Sequence, residues 1–261
     1  MNSPRQSFET IAGCKVNVQR AGKGAPLLFL HGAQGVPGWL PFMADLSERF
    51  EVIVPEHPGF GRSDTPEWLD NMADLAYFYL DFMATLGLAK VNLVGTSLGG
   101  WLGSEIAVRD QHRLRTLTLV APAGIHVKGL PKADIFLWSR EETIRNLVAD
   151  PVLAEKMLSQ PQTEEQIDLM LKNSFTVARL AWQPRLYDPH LYKWLHRITL
   201  PTLILWGDSD KLLPAAYGPE FQKLIPGSKL QIFKNCGHLP HVEKKDDYVA
   251  AITKFIAGAR A

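Results

Sequence analysis

The sequence predicts an α/β domain with a mostly parallel eight-stranded sheet, helices on both faces and a helical cap inserted into the chain. Three observations carry this expectation. Runs of strand length with apolar or alternating character recur along the chain. From Leu30 to Val120 they alternate with helical spacings, the pattern of parallel βαβ units. Residues 123–197 then hold no convincing strand but several helical segments, punctuated by Pro131, Pro151, Pro161, Pro184 and Pro189. The core is therefore expected over residues 1–122 and 198–261, with 123–197 as a lid over the carboxyl ends of the strands, where open sheets bind ligands.

Residues 7–20 alternate weakly through Phe8, Ile11, Val16 and Val18 around Gly13 and read as an antiparallel hairpin at a sheet edge. Pro26–Leu30 is a continuous apolar strand of the kind buried on both faces, and it runs directly into His31-Gly32. Trp39 to Phe50 has helical spacing, followed by the strand Glu51–Pro55 and the turn-rich segment Glu56 to Asp64. Asp70 to Leu86 is a helix with the apolar stripe Leu75, Phe78, Tyr79, Phe82, Met83 and Leu86, stopped by Gly87. The strand Val91–Val94 enters Gly95-Thr96-Ser97-Leu98-Gly99, and an amphipathic pattern from Trp101 to His112 precedes the strand Arg115–Val120. Within the insertion, Thr163-Glu164-Glu165-Gln166 opens a helix whose apolar positions are Ile167, Met170, Leu171, Ser174/Phe175 and Ala178. The strand Thr202–Trp206, a short helix ending near Pro226-Gly227, the strand Lys229–Phe233, the loop Asn235–His238 and a closing helix Glu243–Ile256 complete the chain.

Composition limits the function classes. Apolar residues at 46% and charged residues at 21% suit an ordinary globular protein, and a net charge of +1 gives no electrostatic case for nucleic acid or an anionic membrane. Cys14 and Cys236 are far apart and read as free thiols, which suits a reducing compartment. The amino-terminal residues lack the apolar core of a secretory signal, and no run approaches the roughly 18–20 apolar residues of a membrane span. The expectation is a cytoplasmic protein with a small-molecule substrate, with homo-oligomerisation left open. No His/Cys/Asp cluster has metal-ligand spacing, so neither metal nor cofactor is expected.

The stretch around Ser97 carries the chemistry. A strand, Gly-x-Ser-x-Gly and a helix in succession make a corner where Gly95 and Gly99 leave room that a side chain would fill, pushing Ser97 Oγ into the open. The Leu98 N–H, at the start of the helix, faces the same space as an oxyanion donor. A serine hydroxyl needs a base, and His238, following the last strand in a Gly-His turn, lies at the same edge of the sheet. That imidazole needs an acceptor, and Asp208 and Asp210 both follow the strand ending at Trp206. His241 is a weaker candidate base, and His57, His112, His126, His190 and His196 read as structural or solvated.

With the second glycine-rich run His31-Gly32-Ala33-Gln34-Gly35 upstream, the chain resembles the α/β-hydrolase family over nearly its whole length, on its esterase and meta-cleavage-hydrolase side. The resemblance implies that fold with a cap and a serine triad in the order Ser97, Asp210, His238. It selects Asp210 because the family's acid sits in a Gly-x-x-Asp turn with a proline four residues on, here Pro214. It makes Ala33 N–H the second oxyanion donor, beside Leu98, and makes His31 a residue that shapes the loop. Gln34, Trp138, Phe175, Trp182 and Leu239 are the candidate substrate contacts.

The implied reaction is two-step acyl transfer from an ester, lactone or thioester of small to medium size. A carboxylate nucleophile, as in haloalkane dehalogenases and epoxide hydrolases, is excluded because Ser97 holds that place. Carbon–carbon bond hydrolases of the meta-cleavage type share the triad and lid but usually carry Trp after the catalytic histidine, where this chain has Leu239. A silent small-ligand receptor on the same fold is the reading from a different class.

Overall fold

In the computed structural model, which describes residues 3–259, strands β1 (Arg5–Ile11) and β2 (Cys14–Ala21) form the expected antiparallel hairpin. The two-residue turn Ala12-Gly13 takes positive φ at both positions, 48° and 77°, whose twist matches that of the flanking strands. The other strands are β3 (Pro26–Leu30), β4 (Glu51–Pro55), β5 (Val91–Thr96), β6 (Leu114–Val120), β7 (Thr202–Gly207) and β8 (Lys229–Phe233). Their order is β1-β2-β4-β3-β5-β6-β7-β8, parallel from β4 to β8, with β2 antiparallel to β4. Every strand from β3 onward except β4 therefore delivers its carboxyl end to a loop carrying one of the candidate residues or the start of the insertion.

Strand alternation divides the core into two layers. In β3, Leu27 and Phe29 pack with Val52, Val54 and Leu205 beneath α1 (Pro41–Ser47) and a long carboxyl-terminal helix, Lys245–Gly258. Leu28 and Leu30 face the opposite way with Ile53, Leu93 and Ile204, beneath α2 (Met72–Thr85) and α3 (Leu98–Arg109). The start of α2 is fixed by Asn71, whose side chain accepts from the backbone N–H of Ala73 and Asp74, and Gly87 ends it at φ +62°.

The structure corrects three expectations. α3 is not amphipathic: it starts at Leu98, and every residue from Leu98 to Val108 is buried. The sheet covers one side of it and α2 with the turn Leu195–Arg197 covers the other, an approach that Gly99, Gly100 and Gly103 permit. The closing helix is two helices, Pro240–Glu243 and Lys245–Gly258, separated where Lys244 leaves helical geometry.

The third correction concerns the insertion, where residues 121–201 contain α4 (Arg140–Leu147), α5 (Pro151–Leu158), α6 (Glu164–Ala181) and three short 3₁₀ turns. The Thr163–Gln166 capping box is present at the start of α6, but the apolar stripe beyond it faces water, with Leu171 49% and Phe175 76% exposed. The buried face is Asn173, Thr176, Val177, Leu180 and Ala181. The reason is what the helix docks on. Lys172 Nζ donates to the carbonyls of Gly61 and Ser63, Asn173 accepts from Gly61 N–H, and Thr176 Oγ1 donates to Gly59 O. Exposed loop backbone is matched by polar side chains, since an apolar face there would leave buried peptide groups unpaired.

The remaining helices are α7 (Tyr217–Leu224), α8 (Pro240–Glu243) and α9 (Lys245–Gly258). No helix of the described residues is long and apolar enough to cross a membrane.

Candidate active site

At the end of β5 the chain turns sharply, and Ser97 sits at φ 54°, ψ −114°, left-handed geometry that costs a non-glycine residue on the order of 1–3 kcal/mol. Four backbone bonds hold it there. Ser97 N–H donates to Val120 O (2.8 Å), while Ser97 O accepts from Gly100 N, Trp101 N (both 3.0 Å) and Ala123 N (3.1 Å). The flanking glycines are required by space: a Cβ on Gly95 would lie 2.1 Å from Gly99 O, and one on Gly99 would lie 2.1 Å from Leu30 O. Gly32 abuts the same corner, its hypothetical Cβ falling 3.3 Å from Ser97 Cβ. Strand β3 and its loop are thus pressed against the serine turn, and Ser97 stays partly open to solvent.

The loops after β7 and β8 bring Asp210 and His238 together. His238 Nδ1 lies 2.7 Å from Asp210 Oδ2, with the two side chains 3% and 0% exposed. Asp210 also accepts from Leu212 N and Leu213 N at Oδ1 (both 2.9 Å) and from Trp206 Nε1 at Oδ2 (3.1 Å), so both oxygens are fixed. A carboxylate accepts only, so Nδ1 is the donor, and in the neutral ring Nε2 carries the lone pair. Nε2 is buried and makes no hydrogen bond in this structure, to Ser97 Oγ or to any other described residue. Contacts of this type are often long in the absence of substrate and tighten when it binds. Asp208 takes a different place, accepting from Ser209 Oγ (2.8 Å) and Cys236 N (3.4 Å) as a brace of the turn.

His31 and His57 lie in the core beside the site. Their rings stack at 3.6 Å; His57 N–H donates to His31 Nε2 (3.0 Å), and His57 Nδ1 faces Tyr79 Oη (2.5 Å). His31 Nδ1 then carries its proton toward Gly32 O (2.8 Å), which fixes the start of the 31–35 loop. Gly35 N–H closes a turn onto Gly32 O (3.1 Å), leaving Ala33 half-buried at its crown. Gln34 is exposed and is engaged through its carbonyl, which accepts from Asn173 Nδ2 (2.9 Å).

Burial lowers the His31 pKa to about 4, that of His57 well below its ordinary value with help from the His31 charge, and that of His241 to about 3 with help from His238. Each is neutral in the folded chain and binds a proton when unfolded, below about pH 6.5. Stability is therefore full above that pH and is lost as pH falls toward the folded values, by roughly 1.4 kcal/mol per pH unit for each histidine. Urea unfolding followed by tryptophan fluorescence should show a midpoint that drops steadily between about pH 7 and pH 5.

The candidate substrate contacts divide. Leu239 is half-buried between the large core cluster and the small one formed by Ile144, Val148 and Ala154 beneath α4 and α5. Trp138 is half-buried against the large cluster. Phe175 projects from the face of α6 opposite Asn173, and Trp182, 47% exposed, lies under the Arg185 guanidinium (4.0 Å) and edge-on to Phe136 (5.0 Å). On the docked side of α6, Asn173 reaches Gln34 O in the 31–35 loop and Thr176 reaches Gly59 O. Sequence reasoning missed Asn173, Trp206 and Tyr79. For Asn173 a signal existed, a lone amide inside an otherwise helical apolar pattern; Trp206 and Tyr79 read simply as core.

A family model described as the alpha/beta hydrolase fold matches residues 25–154 and 165–245. The chain is 28% identical over 272 residues to a 2-hydroxy-6-oxo-2,4-heptadienoate hydrolase from Pseudomonas putida, covering 94% of each. It is 27% identical over 292 residues to a 2-hydroxymuconate semialdehyde hydrolase from Pseudomonas sp. strain CF600, covering 100% of this chain and 97% of the relative. Among solved structures, a meta-cleavage product hydrolase from Pseudomonas fluorescens IP01 shares the fold at a TM-score of 0.84 and 23% identity, over 97% of this chain and 98% of that one.

Proposed function

The chain belongs to the alpha/beta hydrolase fold family, and from that premise we propose that it is a serine hydrolase acting on a carboxylic ester, lactone or thioester with a small to medium apolar acyl group. The observation supporting this reading best is the Asp210–His238 pair at 2.7 Å, which engages Nδ1 and leaves Nε2 without a partner among the described residues, at the sheet edge that carries Ser97. In the proposed reaction Ser97 Oγ attacks the carbonyl carbon as its proton passes to Nε2. The oxyanion is received by Leu98 N–H, with the positive end of α3 behind it, and by Ala33 N–H, each such donor supplying on the order of 3 kcal/mol. Collapse expels the alcohol or thiol with the proton from His238. Water, deprotonated by the same nitrogen, then releases the acid and restores Ser97. Residues 123–197 act as the lid, with Trp138 from the lid and Leu239 beside His238 as the aromatic and aliphatic contacts proposed for an apolar acyl group.

A second reading is kept because two relatives, at 27% and 28% identity, are named as hydrolases of dienoate or semialdehyde substrates. In that reaction the bond cleaved is carbon–carbon, and the leaving carbon, not an oxygen, takes the proton. A 4-nitrophenyl acetate and butyrate series alongside 2-hydroxy-6-oxo-2,4-heptadienoate, with wild type and Ser97→Ala, separates the two. Ester turnover that Ser97→Ala abolishes is the expected result. Dienoate cleavage without ester turnover would move the assignment to carbon–carbon hydrolysis, and no rate above Ser97→Ala on any substrate would end both readings.

A further inference from the structure

The loop carrying His238 is held from outside the core. Gly237 N–H donates to Glu243 Oε1 (2.8 Å), and the other oxygen of the same carboxylate accepts from Ala149 N–H (2.7 Å) and Asp150 N–H (3.3 Å). His238 N–H itself donates to Leu147 O (2.7 Å). Leu147 to Asp150 is the corner between α4 and α5, so the insertion and the loop meet through four hydrogen bonds, three of them charge-assisted. The fit leaves no slack. A Cβ on Gly237 would lie 2.5 Å from Leu147 O and 2.9 Å from Ala149 N.

We propose that Glu243 is a positioning residue that straps the His238 loop to the α4–α5 corner, making the hold on His238 and the seating of the insertion one mechanical unit. The proposal rests on the reading of His238 as the base. Imidazole orientation has two supports, the Asp210 bond at Nδ1 and the main-chain anchorage at Gly237 and His238, where Glu243 supplies the charged side chain and Cys236 Sγ a weaker contact to Gly237 O (3.7 Å). When the corner lifts, the backbone of His238 is drawn with it, and Nε2 shifts relative to Ser97. A cover that opens for substrate entry thereby takes the base out of line, and closure restores it.

Glu243→Gln tests this. An amide keeps one acceptor oxygen but turns an NH₂ group toward the other backbone N–H, so one side of the strap opens with little change in volume. The expected result is a kcat on 4-nitrophenyl butyrate about 10- to 100-fold lower with KM within about twofold, the loss that a misplacement of about 1 Å produces. The downfield proton signal of His238 Nδ1–H, assigned by its loss in His238→Asn, should broaden in the same variant. Wild-type kcat together with an unchanged Nδ1–H signal would overturn the strap. A wild type without any Ser97-dependent turnover, combined with a broadened signal in Glu243→Gln, would retain the strap and reject the hydrolytic reading. If Glu243→Gln does not fold, hydrogen exchange on the wild type decides: the amides of Ala149, Gly237 and His238 must open as one unit, and independent opening sinks the proposal.

Discussion

Asp210→Asn is expected to lower kcat by about 10³- to 10⁴-fold with KM and melting temperature near those of the wild type, the loss attached to a wrong histidine tautomer in Ser-His-Asp chemistry. The four donors around Asp210 make the reason specific. Leu212 N–H and Leu213 N–H converge on Oδ1, and His238 Nδ1–H and Trp206 Nε1–H on Oδ2. An asparagine has one acceptor oxygen, and two backbone donors that cannot move will claim it. Its NH₂ then faces His238 Nδ1, which must become the acceptor, so the ring proton transfers to Nε2 and the nitrogen toward Ser97 has no lone pair. Trp206 Nε1–H retains Leu213 O at 2.8 Å, which limits the cost in stability. Asp208→Asn gives the contrast: it accepts from Ser209 Oγ on its own turn and from Cys236 N in the loop after β8, none of its hydrogen bonds among the described residues reaches the His238 ring, and kcat should stay within a few-fold of wild type. Steady-state kinetics on whichever substrate class the wild type cleaves, with circular dichroism to check folding, compares the two. Equal losses in both variants would show that the turn, not the tautomer, is what matters.

The mostly parallel sheet and its strands were legible in the sequence because each strand rests on local pattern, whereas the strand order was not. Pro26–Leu30 and residues 203–206 are continuous apolar runs of strand length bounded by turn residues, the signature of strands buried on both faces. The corner at Ser97 was legible for a steric reason, since two glycines flanking one residue between strand and helix admit few conformations. What the sequence concealed is chemistry between distant segments. Asn173 contacts residues at separations of 112 and 139 positions, and Glu243 reaches Ala149 across 94. No periodicity encodes such a partner. The reversal of α6 has the same origin: its apolar stripe obeys helical spacing, but the surface available for docking was loop backbone, and hydrogen-bond demand outweighed a stripe left facing water. His57 read as a loop residue because it follows a strand and precedes Pro58, yet Tyr79 and His31 draw it fully into the core.

Gly99→Ala should be among the most damaging single methyls in the chain, destabilising the fold by about 3 kcal/mol or more, enough to leave little soluble protein. Helix propensity argues the other way, because Gly99 lies in the first turn of α3, where alanine is preferred over glycine by up to about 1 kcal/mol. Sterics decide the contest. The new Cβ would sit 2.1 Å from Leu30 O and 2.6 Å from His31 O, backbone atoms at the end of a central strand and the start of its loop that no rotamer change can move. Relief requires α3 to withdraw from β3, which would uncover Leu98 and Leu102 and loosen the close approach of Gly32 to Ser97. Gly258→Ala is the matched control. It lies at the end of α9, a Cβ there meets nothing within 4 Å, and the same substitution should be neutral or stabilising by up to about 1 kcal/mol. Thermal melts of the two variants beside wild type measure the difference directly. A Gly99→Ala protein melting with wild type would mean that strand and helix do not approach as closely as 2.1 Å implies, and with that the exposure of Ser97 at a strained corner would lose its cause.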